Sequence, residues 1–139
     1  MPQINSTGAS AMAVAASALK AQQARMRVIA ENLANADSTS RAAGGDPYRR
    51  QIPVFSAQEI NGAQGVKMVR VEQDQGAFRT AYEPGHPGAD ANGYVKLPNV
   101  SSLVEALDMK AAQRAYEANM NVIEAARAMQ TRTLDLLKR

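Results

Sequence analysis

Cysteine is absent from this 139-residue sequence, which excludes disulfides, thiolate nucleophiles and cysteine-ligated zinc. It is compatible with an oxidising compartment without requiring one. Tryptophan is also absent, and aromatic residues make up only 4% of the chain. Histidine occurs once, at position 86. No stretch approaches the roughly 18 consecutive apolar residues of a transmembrane helix. The beginning lacks the basic start and apolar stretch of a cleaved signal peptide. The expectation is a protein that stays in the cytoplasm or leaves by a route that reads something else.

Bulky aliphatic side chains are scarce as well. Leu, Ile, Val and Phe number 25, about 18% of the chain, whereas 27 of the 63 hydrophobic residues are alanine. The first figure lies below the roughly 20% at which a self-sufficient core becomes doubtful. An alanine methyl also adds little at about 25 cal/mol per Å² of buried apolar area. Disorder usually needs high net charge, but here the charge is +3 and the terminal segments are periodic. The composition therefore favours a chain that completes its core with partners. The basic pI, near 9.4, does not come from a phosphate-tracking stripe. Residues 1–35 carry three basic and one acidic side chain, 36–100 seven of each, and 101–139 six and five. Nucleic acid is not an expected partner.

Three regions emerge. Residues 1–35 read as one long helix, patterned from about Asn5, with Asn5, Ser6 and Thr7 as candidate caps. Met12, Leu19, Met26 and Leu33 fall one heptad apart, and Ala15, Gln22, Ile29 and Ala36 fill the intervening position, as in a coiled-coil seam. At 1.5 Å per residue such a rod is roughly 45 Å long, so its seam needs another long helix. Residues 101–139 supply one of roughly 55 Å, opened by Ser102 and Glu105 at capping-box spacing. One of its stripes reads Val104, Ala111, Ala115, Ala118, Val122, Ala125, Met129 and Leu136. Another reads Met109, Ala112, Tyr116, Ile123, Ala126 and Leu137. Two stripes imply two packing surfaces, one for the first helix and one for a neighbour. Alanine suits this arrangement, with the best helix propensity and a small side chain that lets axes approach.

Residues 36–100 differ. "ADSTSRAAGGDPYRR" is loop-like, and "IPVF", "VKMVRV" and "AFRTAY" are candidate strands, with Pro53 suited to an edge. "YEPGHPGADANGYVKLPNV" is rich in Pro and Gly, and Asn92-Gly93 signals a tight turn. The predicted fold is mainly α with a small β insertion: long terminal helices paired as a coiled coil, with short strands and loops between.

No reading of these residues favours catalysis. Glu83, His86 and Asp90 are close in sequence, but they lie in a Pro/Gly loop with no second histidine and no rigid helix to set metal geometry. His86 is expected to be an exposed loop residue. "AAGG" lacks the lysine and following helix of a phosphate loop. Glu72 and Asp74 read as a solvated strand end. No catalytic, metal or cofactor residue and no small-molecule substrate is expected. A membrane-surface helix would need bulky apolar residues opposite basic ones, so partner helices are the better reading.

"ENLANADS" after a long helix, followed by "YRR", resembles the N-terminal signature of bacterial flagellar axial proteins of the rod, hook and hook-associated families. Asn and Asp can bond nearby backbone and tolerate left-handed geometry. They can thus close the helix without glycine and leave polar groups for a neighbouring helix. The segment Tyr82–Val100 looks like that of the proximal-rod branch, the FlgC type, through Tyr82, Pro84, Pro87, Ala89-Asp90, Gly93-Tyr94-Val95 and Pro98-Asn99-Val100. The helix "AQRAYEANMNVIEAA" adds Tyr116, Ala118, Asn119 and Val122. "STSRAAGGDPYRR" departs from the family's Thr-x-Gly-Tyr form, which leaves the turn after the first helix open.

The resemblance implies a structural subunit of the flagellar rod, whose terminal helices line a hollow helical drive shaft crossing the periplasm. Implied partners are copies of itself, other rod proteins, the rod-base or export-gate adaptor and, in transit, the flagellar type III export apparatus. The residues expected to meet other subunits are Met12, Leu19, Met26, Ile29, Asn32, Leu33 and Asn35 on the first helix and Tyr94 in the middle. On the second helix they are Val104, Ala111, Ala115, Tyr116, Asn119, Val122, Ile123, Met129 and Leu136. A soluble coiled-coil adaptor or export chaperone is the alternative.

Overall fold

The computed structural model describes residues 3–138. Two long helices enclose four strands in the order α1 (Gln3–Ala34), β1 (Gln51–Ile60), β2 (Ala63–Gln73), β3 (Arg79–Tyr82), β4 (Tyr94–Leu97) and α2 (Ser102–Leu137). The strands form two separate two-stranded sheets, β1-β2 and β3-β4. The mainly helical class and the small β insertion are as predicted.

The helix starts differ from expectation. α1 is already helical at Gln3, so Asn5, Ser6 and Thr7 lie within it and not at its start. α2 is capped by Ser101, not Ser102. The Ser101 carbonyl accepts the first intrahelical bond, from Glu105 N at 2.9 Å, and its hydroxyl accepts from Val104 N at 3.4 Å, which satisfies one of the free first-turn donors. Glu105 is thereby released from the capping role that its spacing suggests.

The chain divides into two compact units. The first takes in α1 up to Met26, Val54–Arg70 and α2 from Ala111. Its fully buried hydrophobic residues are Ala15, Ala21 and Ala112, all single methyls. The β1-β2 turn has Asn61 at φ 51° and Gly62 at φ 79°. Two successive positive φ values are the demand of a type I′ hairpin, and Asn-Gly meets it. β2 lies against α1 here, with Val66 N donating to Ser17 Oγ at 3.2 Å. A Cβ on Gly65 would come within 2.8 Å of that oxygen, so only glycine lets the strand approach. α1 is therefore covered on a face outside its expected seam. Of the seam, Met12, Leu19 and Met26 are half-buried and Ala15 is buried; Ala21, outside it, is buried too.

The second unit comprises Arg27–Pro53 and Val71–Lys110. Val28, Ile29, Ala36, Val95 and Val100 form its apolar core, together with fully buried Pro98. β3 and β4 pair antiparallel with Tyr82 opposite Tyr94 and Arg79 opposite Leu97. β4 falls in the segment expected to be loop. Its Pro and Gly residues are confined to the turn before it and to Pro98 just after it, leaving "YVKL" free to pair. That turn is closed by Asp90, whose carboxylate accepts from Asn92 N at 2.9 Å and from Tyr94 N at 3.0 Å. Gly93 sits at φ 85°.

Candidate functional site

α1 ends in a polar clasp, and Asn32 is its centre. Asn32 Oδ1 accepts from Tyr48 OH at 2.7 Å and from Gln51 N at 2.8 Å. Its Nδ2 donates to Gln51 O at 2.9 Å and to Glu105 Oε2 at 3.4 Å. Two donors and two acceptors are the full capacity of a carboxamide, so burial to 1% exposure leaves nothing unmet. Glu105, reaching in from α2, is 0% exposed. A carboxylate so placed must be paired, and Arg50 Nε donates to its Oε1. Arg50 also faces Asp74 at 3.5 Å and Asp108 at 3.7 Å, and its backbone N donates to Asn99 Oδ1 at 2.8 Å.

The clasp shifts two titrations. The Glu105 hydrogen bond raises the Arg50 pKa above its ordinary value, and the nearby charges of Glu105 and Asp74 add to this against a burial that lowers it. Burial raises the Tyr48 phenol above 10.0, and the negative charges of Glu31 and Glu105 raise it further. Arg50 stays a cation and Tyr48 a neutral hydroxyl.

The asparagine run closes α1 without glycine, as expected, through side-chain bonds and not through left-handed geometry. Neither Asn32 nor Asn35 has positive φ. Asn35 Nδ2 instead donates back to Glu31 O at 2.9 Å, and Asn32 reaches α2, as its polarity suggested. Leu33 is half-buried and Ile29 fully buried. Composition and periodicity missed Tyr48, Arg50, Gln51 and Glu105 as members of one cluster. "YRR" was the available signal, since two adjacent arginines beside a tyrosine call for anionic partners.

α2 separates its two expected stripes. Shielded positions recur as Glu105, Met109, Ala112, Tyr116, Asn119, Ile123, Ala126, Gln130 and Thr133, alternating four and three residues. That is the heptad spacing of a coiled-coil seam. Ala115 lies half-buried beside it, whereas Val104, Ala111, Val122, Met129 and Leu136 are exposed. Of fourteen exposed large hydrophobic residues among those described, nine are on α2, up to Leu136 at 71% and Leu137 at 77%. Within the first unit, a Cβ on Gly8 of α1 would lie 3.5 Å from Gln130 of α2.

Tyr82 and Tyr94 form an exposed edge-to-face pair with centroids 5.3 Å apart. A Cβ on Gly93 would lie 2.8 Å from the Tyr82 ring, so the pair depends on that glycine. His86 is half-buried rather than exposed. Its Nδ1 accepts from Gly88 N at 2.9 Å, which leaves Nε2–H for Thr39 Oγ1 at 3.1 Å. With Gly44 N donating to Gly88 O at 3.1 Å, it ties the loop after α1 to the β3-β4 turn. Among the described residues no group of three His, Cys, Asp or Glu could hold a metal ion. No helix among them is long and apolar enough to cross a membrane.

Both helical ends match known sequence families. Residues 12–42 match the flagella basal body rod protein family, and residues 91–136 match the C-terminal family of flagellar basal body rod FlgEFG proteins. The flagellar basal-body rod protein FlgC of Agrobacterium fabrum is 44% identical over 127 residues, covering 90% of this chain and 91% of the relative. FlgC of Salmonella typhimurium is 44% identical over 125 residues, covering 88% and 92%. FlgC of Bacillus subtilis is 36% identical over 142 residues, covering 90% and 95%. This chain belongs to the FlgC family of flagellar basal-body rod proteins. It is a structural subunit of the flagellar basal-body rod. The relatives are named as basal-body rod proteins.

Proposed function

We propose that α1 and α2 pair as an antiparallel coiled coil, and that this pair packs against copies of itself and other rod proteins to form the wall of a hollow, torque-bearing shaft. The observation that carries the reading is a stripe of α2 in the first unit, where Val122, Met129 and Leu136 stand exposed one heptad apart. Large apolar side chains left in water at a regular helical spacing mark an interaction site. The 4-3 spacing of the shielded positions supports the pairing. In this reading residues 1–35 and 101–139 are the assembly core and residues 36–100 face outward, with Tyr94 among the anchors. The rod-base adaptor is a further partner, the type III apparatus exports the chain, and the shaft crosses the periplasm. The protein performs no catalysis.

Assembly then proceeds by helix completion. Among the described residues the first unit fully buries only alanine side chains, its larger apolar side chains staying half-buried or exposed, which offsets little of the about 1–2 kcal/mol of conformational entropy per ordered residue. Its helix ends become ordered when docking covers the stripes. Val122→Asp tests this. It should leave the second unit folded while abolishing incorporation into basal bodies and swimming; normal swimming would refute the assigned face. Circular dichroism of the dilute, purified chain should show less helix than the assembled subunit. Full helix content with a sharp transition would count against helix completion.

A further inference from the structure

The clasp has a role beyond satisfying its own polar groups. We infer that the Asn32–Glu105 contact is a register pin, a positioning pair that fixes which turn of α2 stands against which turn of α1. This inference rests on the proposed pairing of the two helices.

Alanine cannot set a register. The fully buried hydrophobic residues of the first unit are Ala15, Ala21 and Ala112. One methyl is much like the next, and the larger seam residues of the first unit, Tyr116 and Ile123 among them, are only half-buried, so little of the area buried there is tied to a single heptad. The clasp does not survive such a displacement. A slip of one heptad brings Ala112 to the place of Glu105. Asn32 then loses an acceptor, and the buried carboxylate moves away from Arg50. Separating one partner from a buried ion pair is strongly unfavourable, and a single polar residue in a helical seam is the best attested means of fixing register. Asn32 is suited to this because its other three bonds, to Tyr48 OH, Gln51 N and Gln51 O, already fix its carboxamide before α2 arrives.

The absence of native cysteine makes a clean test possible. Gly8→Cys with Gln130→Cys reports the observed register, because these positions adjoin. Gly8→Cys with Ile123→Cys or Leu137→Cys reports a slip of one heptad either way. The full chain is incorporated into basal bodies, oxidised mildly, and the intramolecular product read at monomer mass. With the clasp intact, the Gly8–Gln130 product should exceed either slipped product by about tenfold or more, the ratio set by each 1.4 kcal/mol. In the Asn32→Leu, Glu105→Leu background the ratio should fall to within about threefold. Glu105→Gln, which can still accept from Asn32, should keep the original ratio. Where the double leucine chain does not assemble, Asn32→Ala is read in the same way. An unchanged ratio in the leucine or alanine background overturns the pin, as does a Gln variant that slips as far as leucine. Absence of the reporter chain with an intact clasp from basal bodies would instead overturn the rod reading, so the two failures are distinct.

Discussion

Replacing Asn32 with alanine removes four hydrogen bonds at once and leaves no polar atom to substitute for them. The partners lose unequally. Tyr48 is half-buried and can turn to water, and Glu105 keeps Arg50. Gln51 N and Gln51 O lose their side-chain partner at 2.8 and 2.9 Å. At about 1 kcal/mol net for each neutral bond, and somewhat more for the bond to a charged group, the loss comes to about 3–4 kcal/mol. A domain of this size has roughly 5–15 kcal/mol in total. The midpoint should fall by about 10 °C or more, measured by circular dichroism at 222 nm. Asn32→Asp sharpens the test, because its second oxygen faces the Gln51 carbonyl and the Glu105 carboxylate with nothing to donate. It should be less stable than the alanine variant at neutral pH, and should recover as acid protonates the new carboxyl. A loss below about 1 kcal/mol for alanine, or an aspartate variant at least as stable as alanine, would refute the account of the clasp.

The raised Tyr48 pKa adds stability that is fully present below pH 10 and lost as pH rises through the folded value, because the unfolded chain gives up its proton first. Alkaline titration should show this decline, and Tyr48→Phe should remove it; an unchanged profile in the variant would assign the decline elsewhere. Gly93→Ala combines a positive φ with a Cβ 2.8 Å from the Tyr82 ring, so it should cost about 2 kcal/mol or more and separate the tyrosine pair; an unshifted melting curve would show that the turn adapts. His86→Ala should speed amide exchange at Gly44 and Gly88, whereas His86→Asn, which keeps an acceptor near Nδ1, should protect Gly88. Equal exchange in both would show that the imidazole does not hold the loop.

Much of this architecture was legible because helices announce themselves locally. The heptads of α1, the unbroken run of α2 and the end of α1 at Ala34 all follow from spacing and composition. Register within α1 was less legible. Met12, Leu19, Met26 and Leu33 drew attention by size, yet full burial falls on the intervening seam positions Ala15, Ile29 and Ala36 and, outside the seam, on Ala21 and Val28, since a helix covered on two faces is not buried along one stripe alone. Glu105 misled because a glutamate three places after a serine fits a capping box, and its real partner Arg50 lies 55 positions away. The turn at Asn61-Gly62 was readable by the same rule that marked Asn92-Gly93. His86 was not, because its partners Thr39 and Gly88 come from separate loops.

The greasy outer side of α2 also bears on how the cell handles this protein. A molecule waiting for its place displays leucines that suit any hydrophobe it meets, so surplus copies clump instead of waiting harmlessly. Supply must then keep step with demand, and overproduction should yield inclusion bodies before it yields longer shafts.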